Sequence, residues 1–545
     1  MDLRDPQHAQ VSVVVIGHDD APHITGAVRS ALAQGPVVRE VLAVDDGSTD
    51  GSPDLLDALA AREPRLRVLR RTDNSGGCGT PRNDGLAAAS APYALFLDSD
   101  DLLPPRAAAL LLAAAREQRA EVAAGLCVRR ELPHGPDRPW QPRLYAPPAA
   151  PAVLGHPSER PELTRDTLCV NKLYRTDFLR AHDVRFPEGR FPYEDFVFTA
   201  RVLAAGPRLA LIPDPVYVWQ VRRDADRLSI SLDRAGIDNW RARTDAHRAA
   251  VDVLLTAGEH ALARASRAAF LDLGLRMYAR ELDRRTPEYR RQWWAHTRSY
   301  LGTFDPDDLN PVDRPGRLLA GVLLAAPQPQ DLPRLRELAS RPARLLPPHA
   351  RGQDATPLWS NELPVPLDRL AARPLRTLPL TVSARLRPRL RGTTLRLRLH
   401  EFYGRVAQAE PVRAEAEFVE RRTGRVGARC PARFRSAPDG TPPDDRTWTA
   451  EATVPLRRLG AGTWDLRVLL RFADGTERLT SAHATDGPGL LRRRALPSAG
   501  RGVRLVQPYA THSGSLALRI ALGPRGAFGV FRRRLVRLLG SRRRP

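Results

Sequence analysis

Residues 93–101, Tyr-Ala-Leu-Phe-Leu-Asp-Ser-Asp-Asp, carry an apolar run that stops abruptly in three carboxylates, Asp98, Asp100 and Asp101. Leu95, Phe96 and Leu97 have the continuous apolar character of a strand covered on both faces. The acids then stand at the C-terminal edge of an open α/β sheet, where ligands bind. Convergent carboxylates repel one another, and a divalent cation carrying a diphosphate is the occupant that relieves them. The competing reading is an acidic turn in which Asp100 or Asp101 caps a helix ahead of Leu102-Leu103-Pro104-Pro105. A second acidic stretch, Tyr193-Glu194-Asp195-Phe196, precedes an amphipathic helix over 197–205. A carboxylate flanked by aromatics is partly desolvated, which raises its pKa and suits it to general-base work. The bland counterpart is a first-turn charge facing the helix dipole.

These acids need elements that hold them in place. The β-branched run 11–16 ends at Gly17-His18-Asp19-Asp20, and a helix is predicted over 21–34. A strand over 41–44 closes in Asp45-Asp46-Gly47-Ser48-Thr49-Asp50 and is followed by a helix over 53–62. A third strand, 66–69, leads into the glycine-rich loop 73–86, which runs on into a helix; the strand at 95–97 is the fourth. Strand and helix alternating at βαβ spacing specify a parallel, doubly wound sheet. Each strand ends in polar residues, so four loops at one sheet edge can converge on a single nucleotide. Gly76, Gly77 and Gly79 permit close backbone approach, and Arg82 can meet a phosphate through both prongs of its fork.

Taken together, V-S-V-V-V-I-G-H-D-D, V-D-D-G-S-T-D, N-S-G-G-x-G-x-x-R-N-x-G-L, L-D-S-D-D and F-P-Y-E-D-F resemble the family 2 glycosyltransferases of the GT-A fold, over residues 9–230. The resemblance implies a nucleotide-diphosphate sugar donor. Asp45 or Asp46 would read the base, Asp98 would lie near the ribose, and Asp100 would hold Mn²⁺ or Mg²⁺. His18, Asp19, Asn74 and Gly76 fall in the donor-binding motifs. Ile16 stands where the family usually has proline, and His18 where an aromatic usually stacks on uracil. The resemblance also places the general base of inverting enzymes at Asp195, with Glu194 as the next candidate. In similar enzymes the segment Asn171-Lys172-Leu173-Tyr174 lines the acceptor side, although Lys172 could equally be a surface residue.

Beyond the strand-like 216–219 come Arg222, Arg223, Arg227 and Ser229, arginines and a hydroxyl suited to closing over a departing diphosphate. Residues 233–346 turn helical in pattern, with Trp293 and Trp294 as core, and the proline-dense 327–352 reads as linker. The period then changes to two. Leu395, Leu397 and Leu399 alternate with Arg396, Arg398 and His400; Trp448 to Val454 and Trp464 to Phe472 follow suit, with a hairpin turn at 473–476. An antiparallel sandwich of immunoglobulin-like style is expected. The predicted organisation is therefore a GT-A catalytic domain over 1–232, a helical region and linker over 233–352, a β-sandwich over 353–525 and a basic amphipathic tail over 526–545. That order resembles bacterial wall teichoic acid glycosyltransferases.

Charge distribution narrows the partners. Of 85 basic residues only Lys172 is lysine, and the net charge is +23. Residues 1–230 hold 28 basic and 31 acidic groups, a balance of −3, which leaves 57 and 31, or +26, for residues 231–545. An anionic acceptor polymer suits the C-terminal half; a polyanion does not suit the N-terminal domain. Residues 526–545 carry seven arginines and no acid, with Phe531, Leu535, Leu538 and Leu539 at helical spacing, as expected of a helix lying on an anionic leaflet. Cys78, Cys127, Cys169 and Cys430 show neither metal-ligand spacing nor a disulfide framework. With no signal pattern at the N-terminus and no spanning run, a cytoplasmic protein, peripheral on the inner membrane face and homo-oligomeric through its C-terminal region, is expected. The sequence thus points to an inverting, metal-dependent transfer of sugar from a UDP-type donor to a hydroxyl of a teichoic acid or polysaccharide. A nucleotidyltransferase of the same fold and a non-catalytic carbohydrate or polyanion binder are the alternatives.

Overall fold

A computed structural model describes residues 10–132, 137–145, 153–222, 233–309, 314–341, 343–347, 349–389, 392–436, 446–485, 490, 492–498, 502–511 and 513–523. Arg223, Arg227, Ser229 and the tail 526–545 lie outside them. The chain divides into two units, Met1–Phe270 and Leu271–Pro545.

In the first unit the apolar runs form the expected strands β1 (Val11–Gly17), β2 (Val38–Asp45), β3 (Leu66–Arg70) and β4 (Tyr93–Asp98). Between them lie α1 (Ile24–Leu32), α2 (Ser52–Ala60) and α3 (Gly79–Ala88). Then come α4 (Ala107–Glu117), β5 (Val122–Glu131), β6 (Asp137–Pro139), α5 (Pro142–Tyr145), β7 (Val153–Leu154), β8 (Lys172–Arg175) and α6 (Thr176–Ala181). The unit closes with α7 (Glu194–Ala204), β9 (Leu209–Val221), α8 (Asp238–Thr256) and α9 (His260–Phe270). Among the described residues the sheet order is β3-β2-β1-β4-β8-β5-β9-β7, with β6 on the edge of β5. The chain steps one way from β1 through β2 to β3 and then resumes on the other side at β4. The C-terminal ends of β1 and β4, paired in parallel with Ile16 opposite Asp98, therefore flank a topological switch point.

The sheet is not parallel throughout, as the βαβ spacing predicts. β8 runs antiparallel to both β4 and β5, while β5 and β9 are parallel. This short strand carries Lys172 into the interior. Its ammonium donates to Asp166 Oδ2 at 3.0 Å and Asn171 Oδ1 at 2.9 Å, so it locks the strand from within and is not a surface group. An aromatic cluster then fixes β4 to α7. Phe96 meets Phe186 edge-on at 5.2 Å and Phe198 at 5.8 Å, and Phe186 stacks on Phe198 at 3.8 Å. Phe96 lies two residues before Asp98 and Phe198 three after Asp195, so this packing sets the two acidic stretches against one another.

In the second unit α10 (Arg276–Ala279), α11 (Pro287–Leu301), α12 (Pro306–Leu309), α13 (Pro315–Ala325) and α14 (Leu332–Ala339) precede the strands. Trp293 and Trp294 are buried as expected. Residues 327–352 do not behave as a linker. Pro333 occupies the first turn of α14, where a missing N–H costs nothing, and Leu335, Leu338 and Arg344 are buried. After the small pair β10 (Ala350–Arg351) and β11 (Pro357–Leu358) come β12 (Val382–Arg387), β13 (Thr393–His400), β14 (Pro411–Glu420), β15 (Val426–Arg433), β16 (Arg435–Ser436) and β17 (Thr447–Val454). The last strands are β18 (Gly462–Phe472), β19 (Glu477–Ser481), β20 (His483–Ala484), β21 (Arg494–Ser498), β22 (Gly502–Ala510) and β23 (Leu516–Leu522). One sheet orders as β16-β17-β13-β12-β20, the other as β15-β14-β18-β23-β22-β21 with β19 on β18. The inward set matches the period-two reading: Leu395, Leu397 and Leu399 are buried opposite Ala452, Ala450 and Trp448. The all-β character holds, but pairing is not purely antiparallel, since β20 runs parallel to β12.

Candidate functional site

At the end of β4 the backbone N–H of Ser99 donates to Ile16 O at 2.9 Å, and the Ser99 hydroxyl donates to Asp20 Oδ2 at 2.6 Å. The loop after β1 and the acidic loop after β4 are thus joined across the switch point. Asp101 turns inward: it accepts from the Tyr217 hydroxyl and from the Gln220 N–H, each at 2.7 Å. Burial first, then Asp100 and Asp98, push its pKa well up. Asp100 turns outward. Its carbonyl accepts from Gln220 Nε2 at 3.0 Å and from Arg222 Nη1 at 2.9 Å, and Arg222 Nη1 stands 3.5 Å from its carboxylate. Desolvation, followed by repulsion from Asp98 and Asp20, raises Asp100 to about 6. Neither acid caps a helix, because α4 begins only after Arg106, which is left-handed at φ 66°.

A carboxylate held in its costlier charged form beside two others fits a hard divalent cation. Among the described residues no group of three or more His, Cys, Asp or Glu is placed to hold a metal ion, so an ion at Asp100 would have to take most of its ligands from phosphate and water.

The loop after β2 shows why the paired acids differ. Asp46 is spent on structure: it accepts from Ser75 Oγ at 2.8 Å, the Ser75 N–H at 3.1 Å and Asn74 Nδ2 at 3.2 Å, with Arg71 Nε at 3.1 Å. Asp45 is buried at the floor of the crevice formed with Gly17, Asp20 and Ser52. Asp19, left-handed at φ 48°, takes the Thr49 N–H on its carboxylate at 2.7 Å, and this bond lowers its pKa. His18 stands 3.4 Å from Asp19. Asn74 accepts the Gly76 N–H at 2.9 Å, shaping the turn in which Gly76 adopts φ +87°.

The glycines approach closely, but to protein. A Cβ on Gly79 would lie 1.9 Å from Pro187 O, and one on Gly77 would lie 2.6 Å from Gly189 O. The loop is therefore packed on the segment that leads into α7. Arg82, expected at a phosphate, is buried within this packing at 4% exposure and its two prongs are taken by carboxylates. Nη2 donates to Asp98 Oδ1 at 2.6 Å and Nη1 donates to Glu194. Its place is that of a bridge between the two acidic stretches.

The side chain of Asp195, next along, makes no hydrogen bond or ion pair among the described residues. Desolvation, then Glu194, push its pKa to about 8 against the opposing pull of Arg82 and Arg243. Tyr193 introduces it in a left-handed conformation, φ 64°, a conformation uncommon outside glycine, held by its hydroxyl's 2.9 Å bond to Asn239 Oδ1. Arg243 of α8 covers Tyr193 and Phe196 at 5.0 and 4.9 Å. Glu194 and Asp195 do occupy the first turn of α7, so the helix dipole also favours their charge.

Tyr217, Gln220, Asp20, Ser99 and Arg243 were not among the candidates. Gln220 and Tyr217 follow an alternating strand pattern without any motif, and Arg243 sits among many arginines. Asp20, in the acidic end of the β1 loop, and Ser99, inside the L-D-S-D-D motif, are the two that carry a sequence signal.

The model of the family described as glycosyl transferase family 2 matches residues 12–180. The succinoglycan biosynthesis protein ExoO of Rhizobium meliloti (strain 1021) is 30% identical over 268 residues, which cover 48% of this chain and 74% of that protein. The chain belongs to glycosyltransferase family 2. Other family 2 relatives modify polymers. A poly(ribitol-phosphate) beta-glucosyltransferase of Bacillus spizizenii is 29% identical over 195 residues, covering 35% of this chain and 29% of that one. Poly(ribitol-phosphate) beta-N-acetylglucosaminyltransferase TarS of Staphylococcus aureus (strain MW2) is 29% identical over 220 residues, covering 40% and 36%. The matched stretch thus spans only about a third of each of these two relatives' length. In fold, the chain resembles crystalline S. aureus TarS over 94% of its own length and 85% of that chain, with a TM-score of 0.50 at 16% identity. TarS 1-349 in complex with UDP-GlcNAc matches with a TM-score of 0.52 at 20% identity, covering 65% of this chain and 98% of that one. No described helix is long and apolar enough to cross a membrane.

Proposed function

We propose that this family 2 glycosyltransferase moves a sugar from a UDP-linked donor to a hydroxyl of an anionic envelope glycopolymer, with inversion at the anomeric carbon. Asp195 carries the reading, because it is a desolvated carboxylate that no neighbour has claimed, raised toward neutral pH. It takes the acceptor hydroxyl proton as the acceptor oxygen bonds to the anomeric carbon. The bond from that carbon to the diphosphate oxygen breaks, and its electron pair leaves with UDP. Arg222, beside Asp100, faces the charge that develops on the leaving group. A Mn²⁺ or Mg²⁺ ion held by Asp100 would supply further electrostatic stabilisation of that diphosphate. Arg82 acts as a positioning residue, holding Asp98 on the donor side and Glu194 on the base side in one rigid bridge. The polymer acceptor rests on the poly(ribitol-phosphate) and succinoglycan relatives and on the basic C-terminal half. Attachment to the inner membrane face through residues 526–545, and self-association through the second unit, complete the proposal. Product analysis with UDP-sugars and Mn²⁺ tests it: release of UDP with an inverted glycoside supports the reading, whereas release of pyrophosphate makes the protein a nucleotidyltransferase.

A further inference from the structure

The two sheets of the second unit differ in how they neutralise their outward faces. On the seven-stranded sheet, outward Arg413, Arg429, Arg433, Arg467, Arg471 and Arg519 face Glu415, Glu417, Asp465 and Glu477, six cations against four acids. Several are tightly paired: Arg429 to Glu417 at 2.8 Å and Arg471 to Glu477 at 2.7 Å. The five-stranded sheet is unlike it. Its outward positions carry Arg385 and Arg387 on β12, Arg396 and Arg398 on β13 and Arg435 on β16, against Glu451 alone, five cations to one acid. Among the described residues of this face, Arg396 alone has an ion pair, with Glu451 at 3.1 Å. Arg385 lies directly across from Arg396, as Arg413 lies across from Arg433 and Arg471 on the other sheet, and like charges so placed repel.

Cross-strand partners of this kind stand about 5 Å apart and same-face neighbours on one strand about 7 Å apart. The arginines therefore make a two-dimensional grid of forked donors, each able to take two phosphate oxygens. Among the outward residues between them are Thr394, His400, Thr449 and Thr453, and among the described residues no Phe, Tyr or Trp. Nucleic-acid bases would find none of the large aromatic platforms on which single strands stack, and a bilayer would have no apolar anchor to receive.

We infer that the outward face of the β16-β17-β13-β12-β20 sheet binds a flexible phosphodiester or polyphosphate chain, as a polymer-holding surface separate from the transfer residues. This rests on the reading that the acceptor is an anionic polymer. The test uses the full chain, medium-length inorganic polyphosphate as probe, and the variant Arg385→Ser/Arg396→Thr/Arg398→Thr. All three side chains face outward, so melting should match the parent; if it does not, the same comparison is made with Arg398→Thr and Arg435→Ser alone. Polyphosphate affinity at low ionic strength should fall at least about tenfold, and the slope of log affinity against log salt should flatten by about 2, at about 0.7 per lost contact. The control Arg433→Ser/Arg467→Ser on the other sheet should change neither quantity. UDP-sugar affinity is read on the same samples: its absence in every variant and the parent would sink the donor site, not this surface. Equal loss in the control, parent-like polyphosphate binding in the triple variant, or tighter variant-sensitive binding to single-stranded DNA or phosphatidylglycerol vesicles would overturn the assignment.

Discussion

Replacing Arg82 by methionine keeps most of the side-chain volume and removes the charge between Asp98 and Glu194. Arg82 and Glu194 are only 4% and 8% exposed, so Glu194 cannot simply be rehydrated, whereas Asp98, 33% exposed, in part can. Removing one partner of a buried pair typically costs about 3–5 kcal/mol, most of it the uncompensated charge that remains. Denaturant unfolding followed through the buried aromatics of the first unit reads the loss directly. Adding Glu194→Gln to Arg82→Met should recover part of the loss, because the most buried orphan charge goes with it. A deficit below about 1 kcal/mol would refute the bridge.

Asp100 should make cation-stimulated donor binding acid-sensitive. Its pKa of about 6 means protons compete for the carboxylate below that value, so Mn²⁺-dependent UDP-sugar affinity in calorimetry should decline as pH falls from 7 to 5, and Asp100→Asn should abolish the dependence. Phe198→Ala should cost about 3–5 kcal/mol, since it empties a stack against Phe186 beneath both acidic stretches, and thermal unfolding should show it.

Much of the donor edge was legible because each apolar strand announces its own end. Val11 to Ile16, Val41 to Val44 and Leu95 to Leu97 stop in polar residues, whereas the switch point between β1 and β4 is visible only in the spatial strand order. What was not legible depended on partners distant in sequence. Nothing in residues 73–86 says that Gly77 and Gly79 pack against Pro187 and Gly189, or that Arg82 reaches Glu194. Asp45 and Asp46 are chemically equivalent in the sequence, and only the fold assigns Asp46 to Ser75 and Asn74. The antiparallel β8 hid because four residues are too few for a periodicity and one of them is Lys172. The prolines of 327–352 read as linker, yet in the first turn of a helix a proline is compatible with a buried, ordered segment. In the second unit the period-two pattern survived because its inward positions are almost all aliphatic or aromatic.

The account stands or falls on Asp195 as the proton acceptor. Asp195→Asn keeps the size of the side chain and its place in the first turn of α7, so donor affinity, cation dependence and melting should stay near the parent. Loss of a general base removes about 10² to 10⁴ in rate, so single-turnover transfer from a UDP-sugar to polymer should drop by that factor in kcat while donor KM is retained. In the parent, kcat/KM should rise with pH through an apparent pKa near 8 as the carboxylate ionises, and the variant should lack that limb. Turnover within a few-fold of the parent, with the same pH profile, would contradict the mechanism and leave Asp195 as a helix-terminal charge.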